Sequence, residues 1–270
     1  MADTSLLVDI GNSRLKWQLA GAGDDGKPES LAHGGRLPIS LEQQWTAIAQ
    51  PRRVLVSCVA DTGIVAALEE LVARLWGIEV RRPAVTRGHR GLVNCYEHPE
   101  RLGIDRWLAM IGARTLVQGM FCVVDAGTAM TIDVVDADGR HRGGLIMPGL
   151  AMMIDSLRAG TSIPDYAEQE TPALLGCSTV SGISLGCLQG LGALVDKVIA
   201  ASGPGEPRLL LTGGDAMRVA TVIDHPAEHV RTHLPVRQRA GCAAGQCACR
   251  PARCHAAERV SAGWQGLWPG

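Results

Sequence analysis

The stretch "LLVDIGNSRLKWQLA", Leu6 to Ala20, ends an apolar run with an acid, a glycine and an amide. Its first residues are typical of a buried strand, and Arg14–Leu19 is typical of a second strand of a hairpin. The D-x-G-N turn between them places the carboxylate of Asp9 where the hairpin opens. Lys16 adds a cation among apolar neighbours. An acid and a cation at one end of a hairpin indicate a site for a charged ligand.

A second stretch, "CVVDAGTAMTIDVVD" (Cys122–Asp136), repeats this outline. Its turn, Asp125 to Thr128, corresponds to the turn Asp9 to Asn12 at a constant spacing along the chain. Gly11 and Gly127 allow the backbone to approach a ligand closely, because no Cβ intervenes. D-x-G is also a common β-turn signature, so either copy alone favours an ordinary turn. Two copies with matching flanks favour two loops that clamp a polyphosphate.

The residue types in these turns suit a nucleotide. Asn12 and Thr128 are short polar side chains, and backbone N–H groups at such turns form anion-binding concavities. Lys16 would bring a point charge to a phosphate, and Asp9 and Asp125 would hold a cation near it. The segment "LLLTGGDA" adds a third glycine loop after a strand, whereas no G-x-x-x-x-G-K-[ST] motif occurs.

Composition excludes several classes of protein. The 270 residues are 46% hydrophobic and 20% charged, which suits a globular core, and the net charge of −1 argues against a generally basic nucleic-acid binder. We expect no membrane span, since no apolar run approaches about 20 residues, and we expect a cytoplasmic location. Nine cysteines, an odd number, favour free thiols.

The order of patterns predicts an α/β fold, because strand patterns alternate with helical ones. We expect "GGLIMPGLAMMIDSLRAG" (Gly143–Gly160) to form a glycine-proline elbow that starts a helix, and Ser178–Ala201 to form a long helix. The repeated hairpin predicts two related domains, residues 1–116 and 117–235. Residues 236–270 show neither strand nor helix periodicity, and we expect a poorly ordered tail.

One cluster of cysteines and one set of histidines contain residue types that bind metals, but their spacing favours other interpretations. The tail cysteines have gaps unlike the C-x2-4-C pairs of structural zinc sites, so zinc is disfavoured; the cluster comprises Cys242, Cys247, Cys249, Cys254 and His255. His225, His229 and His233 share the spacing of one helical face, and a solvated helical face is the favoured interpretation.

Four motifs together resemble the type III pantothenate kinases, the group that includes proteins named Bvg accessory factors. They are "DIGNSRLK", "GIDRW", "DAGTAMTID" and "GGLIMPG", in order between about residue 5 and about residue 225. The resemblance implies two ribonuclease H-like domains of the acetate and sugar kinase/actin superfamily, with ATP between them. It further implies phosphorylation of pantothenate, the first step of coenzyme A synthesis. It also implies a homodimer, Mg²⁺ with ATP, and a monovalent cation, K⁺ or NH₄⁺.

The resemblance also implies roles for individual residues. The expected ATP contacts are Asp9, Ile10, Gly11, Asn12, Ser13, Arg14, Leu15, Lys16 and Thr128. The expected pantothenate contacts are Tyr96, Gly103, Ile104, Asp105, Arg106 and Thr179, with Asp105 as the proton acceptor. Asp125 matches the ligand of the monovalent cation.

The residues themselves leave alternatives open. Phosphoryl transfer needs a carboxylate that orients the attacking hydroxyl, which suits Asp105, but an acid near a helix start also suits helix capping. Arg106 suits a substrate carboxylate through paired N–H donors, or an ion pair with an acid such as Glu100. Tyr96 suits a hydrogen bond to substrate, or a buried loop position.

Two other functions compete with pantothenate phosphorylation. One is a kinase or phosphatase of the same superfamily with another acceptor. The other is a regulatory protein of the same fold that acts on transcription through a partner, although no helix-turn-helix signature or basic stripe supports direct contact with DNA.

Overall fold

Two five-stranded sheets form the framework of the protein. The structure is a computed structural model that describes residues 4–21, 28–59, 62–161, 173–203 and 205–229. The first sheet contains β1 (Ser5–Ile10), β2 (Arg14–Ala20), β3 (Glu29–Ala32), β4 (Arg53–Cys58) and β5 (Val80–Arg81). A small hairpin of β6 (Gly88–His89) and β7 (Leu92–Val93) follows. The second sheet contains β8 (Phe121–Ala126), β9 (Ala129–Val135), β10 (His141–Pro148), β11 (Arg208–Thr212) and β12 (Ala227–His229).

The two sheets have equivalent topologies. Their strand orders are β3-β2-β1-β4-β5 and β10-β9-β8-β11-β12. In each, the central strand is antiparallel to the strand that follows it and parallel to the strand on its other side. The hairpin repeat predicted from the sequence is therefore present, with each acidic turn at the carboxyl end of a central strand.

The described helices cover these sheets. They are α1 (Ile39–Thr46), α2 (Thr62–Trp76), α3 (Ile104–Leu116), α4 (Leu150–Ala159), α5 (Thr179–Ala201) and α6 (Ala216–Ala220). Helices α1 and α2 enclose a core with the first sheet in which Trp17 and Trp45 pack among aliphatic side chains. Helices α4, α5 and α6 enclose an aliphatic core with the second sheet. Helix α3 packs Trp107, Met110 and Ile111 with strands of the second sheet and also contacts β4. This helix therefore lies at the junction of the two halves.

Strand β10 was not predicted. The segment expected to be an elbow is a strand to Pro148, followed by α4 from Leu150. The polar–apolar alternation of a half-buried strand is absent from this segment. The strand contains two glycines and a register shift between His141 and Gly143, and the adjacent Leu145 and Ile146 are both exposed.

The histidine interpretation was wrong. Residues 227–229 form β12 instead of a helix. His225, at 3.0 Å from Asp196 Oδ1, has the carboxylate partner that the sequence did not reveal. His233 lies outside the described residues, as do the tail and its cysteines. Within the described ranges, the five cysteines are free, and no group of three or more His, Cys, Asp or Glu side chains is arranged to hold a metal ion.

Helix α5 corrects the expectation about apolar length. Its 23 residues are long and apolar enough to cross a bilayer by length and composition alone. Core helices pass the same criterion, and α5 packs Leu191, Val195 and Ile199 into the core of the second sheet. Packing on the second sheet therefore accounts for the apolar residues on one face of α5.

Candidate active site

The two acidic turns meet directly. Ser13 Oγ lies 3.1 Å from Thr128 Oγ1. The glycine N–H closes each turn, with a different span: Gly11 N–H donates to the Arg14 carbonyl at 3.0 Å, three residues on, and Gly127 N–H donates to the Ala129 carbonyl at 3.1 Å, two residues on. The carboxyl ends of β1 and β8 thus face one cleft, as the repeat predicted.

Asp9 and Lys16 face each other on neighbouring strands of the first hairpin. Ser57 Oγ on β4 donates to Asp9 Oδ1 at 3.1 Å. Burial raises the pKa of Asp9, and Lys16 and the Ser57 hydrogen bond only partly offset it. Burial likewise lowers the pKa of Lys16, against the pull of Asp9 and Asp125. The acid and the amine share a poorly solvated space.

Asp125 is the counterpart of Asp9 in the second half. Its pKa is raised to about 6: burial is the main cause, Lys16 acts against it, and the neighbouring Asp9 and Asp105 add to it. Three carboxylates and one ammonium group therefore interact here, and the group carries an excess of negative charge when ionised. Hard cations bind oxygen ligands, and Mg²⁺ typically takes one or two carboxylates and completes its shell with phosphates and water. Asp9 and Asp125 fit that requirement.

Asp105 enters this group from the first turn of α3. Its Oδ1 accepts the backbone N–H of Arg106 at 2.8 Å, so this oxygen satisfies one of the N–H groups of the first turn, although Asp105 is not the N-cap residue. The N-cap residue itself is Gly103, which makes no side-chain cap. A Cβ at Gly103 would lie 2.5 Å from Asp105 Oδ1. Glycine at this position therefore keeps space beside the carboxylate.

The third glycine loop supports the second acidic turn. Gly213 has a positive φ of 97°, and a Cβ there would overlap the Ala126 backbone and approach Asp125 Oδ1. The Asp215 N–H donates to the Ala126 carbonyl at 2.9 Å. The "TGGDA" segment thus lies against the end of β8, next to the Asp125 carboxylate.

Arg106 does not pair with Glu100. Its Nε donates to Asp133 Oδ2 at 2.9 Å and its Nη2 to Asp133 Oδ1 at 2.6 Å, in a buried pair. The paired donors expected to hold a substrate carboxylate thus face Asp133 instead. Arg106 Nη1 donates to Tyr96 Oη at 3.0 Å, which places the half-exposed Tyr96 at the edge of this pair.

The remaining residues of the first turn divide by exposure. Asn12, Ser13 and Arg14 are exposed, and Arg14 Nε donates to Ser30 Oγ at 2.7 Å. Ile10 and Leu15 are fully buried in the core of the first sheet, so only their backbone can reach a ligand. The turn thus offers main-chain groups between short polar side chains.

Thr179 is not among the residues that these contacts bring together at the two turns. It begins α5 and lines a groove of about 410 Å³ together with Met153, Leu157 and Ile183. Among the described residues, no hydrogen bond or ion pair joins Thr179 to Asp105 or to Tyr96.

Two supporting residues escaped the sequence analysis. His33 Nε2 lies 2.7 Å from the Gly11 carbonyl oxygen and its Nδ1 accepts from Gly35 N–H at 3.3 Å, so the ring braces the first turn. Asp133 sits in the apolar run "MTIDVV". A carboxylate on the buried side of a strand requires a hydrogen-bonding or charged partner. Its position in an apolar strand was therefore the sequence signal that Asp133 has a buried partner.

Two halves of this topology that share an acidic cleft define the acetate and sugar kinase/actin superfamily, and its ribonuclease H-like domains confirm the predicted fold class. A model of the type III pantothenate kinase family matches residues 5–201. A type III pantothenate kinase of Nitrosococcus oceani is 37% identical over 238 residues, 83% of this chain and 88% of that protein. The chain therefore belongs to the type III pantothenate kinase family.

Further comparisons agree. A type III pantothenate kinase of Dichelobacter nodosus is 39% identical over 197 residues, which cover 72% of this chain and 78% of that protein. A solved structure of a conserved Baf family transcriptional activator from Campylobacter jejuni matches with a TM-score of 0.52 and 23% identity, over 83% of this chain and 90% of that one. That likeness concerns the fold.

Proposed function

We propose that this protein transfers the γ-phosphoryl group of ATP to the primary hydroxyl of pantothenate, giving 4'-phosphopantothenate and ADP. The observation that carries the proposal is the meeting of the Ser13 and Thr128 turns beside the Asp105 carboxylate and the Lys16 ammonium. Phosphoryl transfer asks the protein mainly for positioning and for charge stabilisation. Both are offered at this junction.

ATP would bind with its phosphates between the two turns. The backbone N–H groups at the tip of the turn, Asn12 and Ser13, and the Ser13 and Thr128 hydroxyls would supply donors, and Lys16 would supply positive charge. Because Ile10 and Leu15 are core residues, their contribution is confined to the main chain. Arg14 is held by Ser30 at the rim of the turn.

Asp105 would orient the hydroxyl of pantothenate and accept its proton. The hydroxyl oxygen forms a bond to the γ-phosphorus while the bond between that phosphorus and the bridging oxygen breaks, and ADP leaves with the electron pair. Oδ1 of Asp105 is engaged by the Arg106 N–H. Oδ2 makes no hydrogen bond to any described residue, so it is the oxygen that can take the proton.

Cations complete the charge balance. Asp9 and Asp125 would hold Mg²⁺ and the monovalent cation, with Asp125 the ligand of K⁺ or NH₄⁺, because the carboxylates here outnumber the single ammonium group of Lys16. When bound, these cations neutralise the charge of the phosphates.

Pantothenate would lie on the side of Asp105 that carries Tyr96. We assign Gly103, Ile104 and Arg106 to the wall of this subsite, since they surround the start of α3. Thr179 is assigned as a further substrate contact from the family resemblance. The subsite and the phosphate cleft then share the Asp105 carboxylate.

The assembly is proposed to be a cytoplasmic homodimer. Apolar side chains are exposed on edge strand β10 and on neighbouring α4, namely Leu145, Ile146, Met152 and Leu157. Contact between two copies would cover them. We place one domain at residues 1–116 and the other at 117–235, with α3 at their junction.

The decisive experiment is a coupled assay of ADP formation with pantothenate and Mg-ATP, with and without K⁺ or NH₄⁺. We expect ADP formation that depends on pantothenate and is stimulated by the monovalent cation. ADP formation that ignores pantothenate but responds to another hydroxyl compound would overturn the assignment. A regulatory role through a partner is not favoured, because the chain retains the charged cleft of an enzyme.

A further inference from the structure

A buried set of side chains joins the second sheet to the proposed pantothenate subsite, and phosphoryl transfer does not use it directly. Asp133 on β9 and His141 at the start of β10 are enclosed, with exposures of 2% and 3%. Arg106 on α3 and the half-exposed Tyr96 complete the set. These four residues come from separate parts of the chain, so their contact depends on the tertiary fold.

Asp133 is the centre of the set. Its Oδ1 accepts from Arg106 Nη2 at 2.6 Å and from His141 Nε2 at 2.8 Å, and its Oδ2 accepts from Arg106 Nε at 2.9 Å. Burial acts to raise the pKa of Asp133, but the hydrogen bonds from His141 and Arg106 outweigh burial and leave it lowered. Asp133 is therefore an anion that cannot donate, and the His141 proton must reside on Nε2.

The other nitrogen of His141 is also accounted for. Its Nδ1 lies 3.3 Å from Cys95 Sγ, whose S–H is the donor in that tautomer. The ring of His141 stacks on the ring of Tyr96, with centroids 6.1 Å apart and an interplanar angle of 14°. His141 therefore donates to the Asp133 carboxylate through Nε2 and packs against Tyr96 with the face of its ring.

Arg106 links the Asp133 carboxylate to the Tyr96 hydroxyl. Asp133 takes Nε and Nη2, so the guanidinium plane is fixed and Nη1 is directed to Tyr96 Oη at 3.0 Å. An oxygen that accepts from a cation directs its own O–H elsewhere. The Tyr96 hydroxyl is thus prepared to donate, and a substrate oxygen is a suitable acceptor.

Gly144 shows how closely the chain is built around the ion pair. It is paired with Asp133 across β9 and β10. A Cβ at Gly144 would overlap the Ile132 carbonyl oxygen, Arg106 Nη2 and Asp133 Oδ1. Any side chain at this position would displace the Arg106–Asp133 pair.

We infer that Asp133 and His141 are positioning residues for the pantothenate subsite, which hold Arg106 so that Tyr96 presents its hydroxyl hydrogen to the substrate. The inference rests on the proposed function, since it takes pantothenate as the ligand beside Tyr96. Neither residue touches the substrate. Their loss should therefore weaken pantothenate binding and leave ATP binding unchanged.

The test compares two substitutions of one residue. The amide nitrogen of His141→Gln reaches the place of Nε2 and can still donate to Asp133, whereas that of His141→Asn cannot. We expect His141→Asn to raise the KM for pantothenate about tenfold, as for the loss of a buried hydrogen bond, with the KM for ATP unchanged. His141→Gln should recover most of the affinity. In a Tyr96→Phe background, His141→Asn should have little further effect.

The control is His225→Phe, which keeps a ring and removes a histidine–aspartate hydrogen bond of 3.0 Å beside β12, the opposite edge strand of the sheet. It should lower the melting temperature without changing either KM. If His141→Asn raised both KM values equally, or acted in full in the Tyr96→Phe background, the inference would be wrong. Should His141→Asn not fold, His141→Phe keeps a ring, removes the same hydrogen bond and is judged by the same criteria. Failure of the proposed function is distinct, because the unmodified protein would then lack pantothenate-dependent turnover.

Discussion

Ser13 Oγ lies 3.1 Å from Thr128 Oγ1, although 115 residues separate them in the chain. The two hydroxyls belong to equivalent turns after equivalent strands. Each sheet therefore supplies one wall of the cleft that we propose for the phosphates, and neither half forms that cleft alone. Asp9 and Lys16 are neighbours through strand pairing, and the meeting of the two turns brings Asp125 close to both.

A double-mutant cycle tests this junction. Ser13→Ala and Thr128→Val each remove one hydroxyl, and each should raise the KM for ATP by about fivefold, the effect of about 1 kcal/mol. Because the two hydroxyls contact each other, the two substitutions should not act independently. The double variant should raise the KM for ATP by less than the product of the two single increases. Steady-state kinetics with varied ATP measures this. Ser202→Ala, a hydroxyl at the end of α5, is the control, and fully independent effects would contradict the shared site.

Replacement of Asp105 separates binding from chemistry. Asp105→Asn keeps the shape of the side chain but removes the proton acceptor, so kcat should fall by about 10²- to 10⁴-fold. Calorimetric titration should still detect ATP and pantothenate with affinities near those of the unmodified protein. Asp138→Asn, at an exposed turn position, is the matched control. Near-normal turnover of Asp105→Asn would remove Asp105 from the mechanism.

The charge of Lys16 has two separable effects. Lys16→Met should raise the KM for ATP by about tenfold or more, because a charge-assisted contact to phosphate is lost. It should also move the acid limb of the activity profile to higher pH, since Lys16 lowers the pKa of both Asp9 and Asp125. Lys16→Arg should restore much of the pH profile. A profile that stays in place in Lys16→Met would show that the ammonium group is remote from the acids.

The raised pKa of Asp125 predicts how the free energy of unfolding and the binding of cations depend on pH. Its pKa is raised to about 6 in the fold, from 3.8 in the unfolded chain. The folded state therefore binds the proton more tightly, and this group lowers the free energy of unfolding as pH rises from about 4 to about 6. Cations need the ionised form, so the rise in melting temperature caused by added K⁺ or Mg²⁺ should be small at pH 5 and large at pH 7.5.

Asp125→Asn is the matching variant for that experiment. It should weaken the cation effect at pH 7.5 and make the cation-free protein less sensitive to pH between about 4 and about 6. Thermal unfolding followed by fluorescence is sufficient to measure both. An undiminished response of Asp125→Asn to K⁺ would move the monovalent site away from this carboxylate.

Local patterns explain which features could be predicted from sequence. The two hairpins were predictable, because the Asp9 and Asp125 turns each follow a continuous apolar strand and repeat at constant spacing. A helix within Arg101–Val117, with Asp105 near its start, was predictable from helical spacing, and α3 begins at Ile104. These signals are confined to short stretches of chain.

Features that depend on contacts between distant segments were not predictable. Arg106 was expected to face a substrate or Glu100, yet it pairs with Asp133. Strand β10 was missed because its exposed apolar residues and glycines follow no regular period. His225 was read with a helical period, whereas its partner Asp196 lies on another element. In each case the deciding partner is remote in sequence.

The contact between Ser13 and Thr128 also bears on synthesis at the ribosome. The strands of the first sheet are all present in the chain by Arg81, but Thr128 and the Gly213 loop are translated much later. With ATP bound between the two turns as we propose, a nascent chain gains no stability from the nucleotide until most of the second sheet has been made.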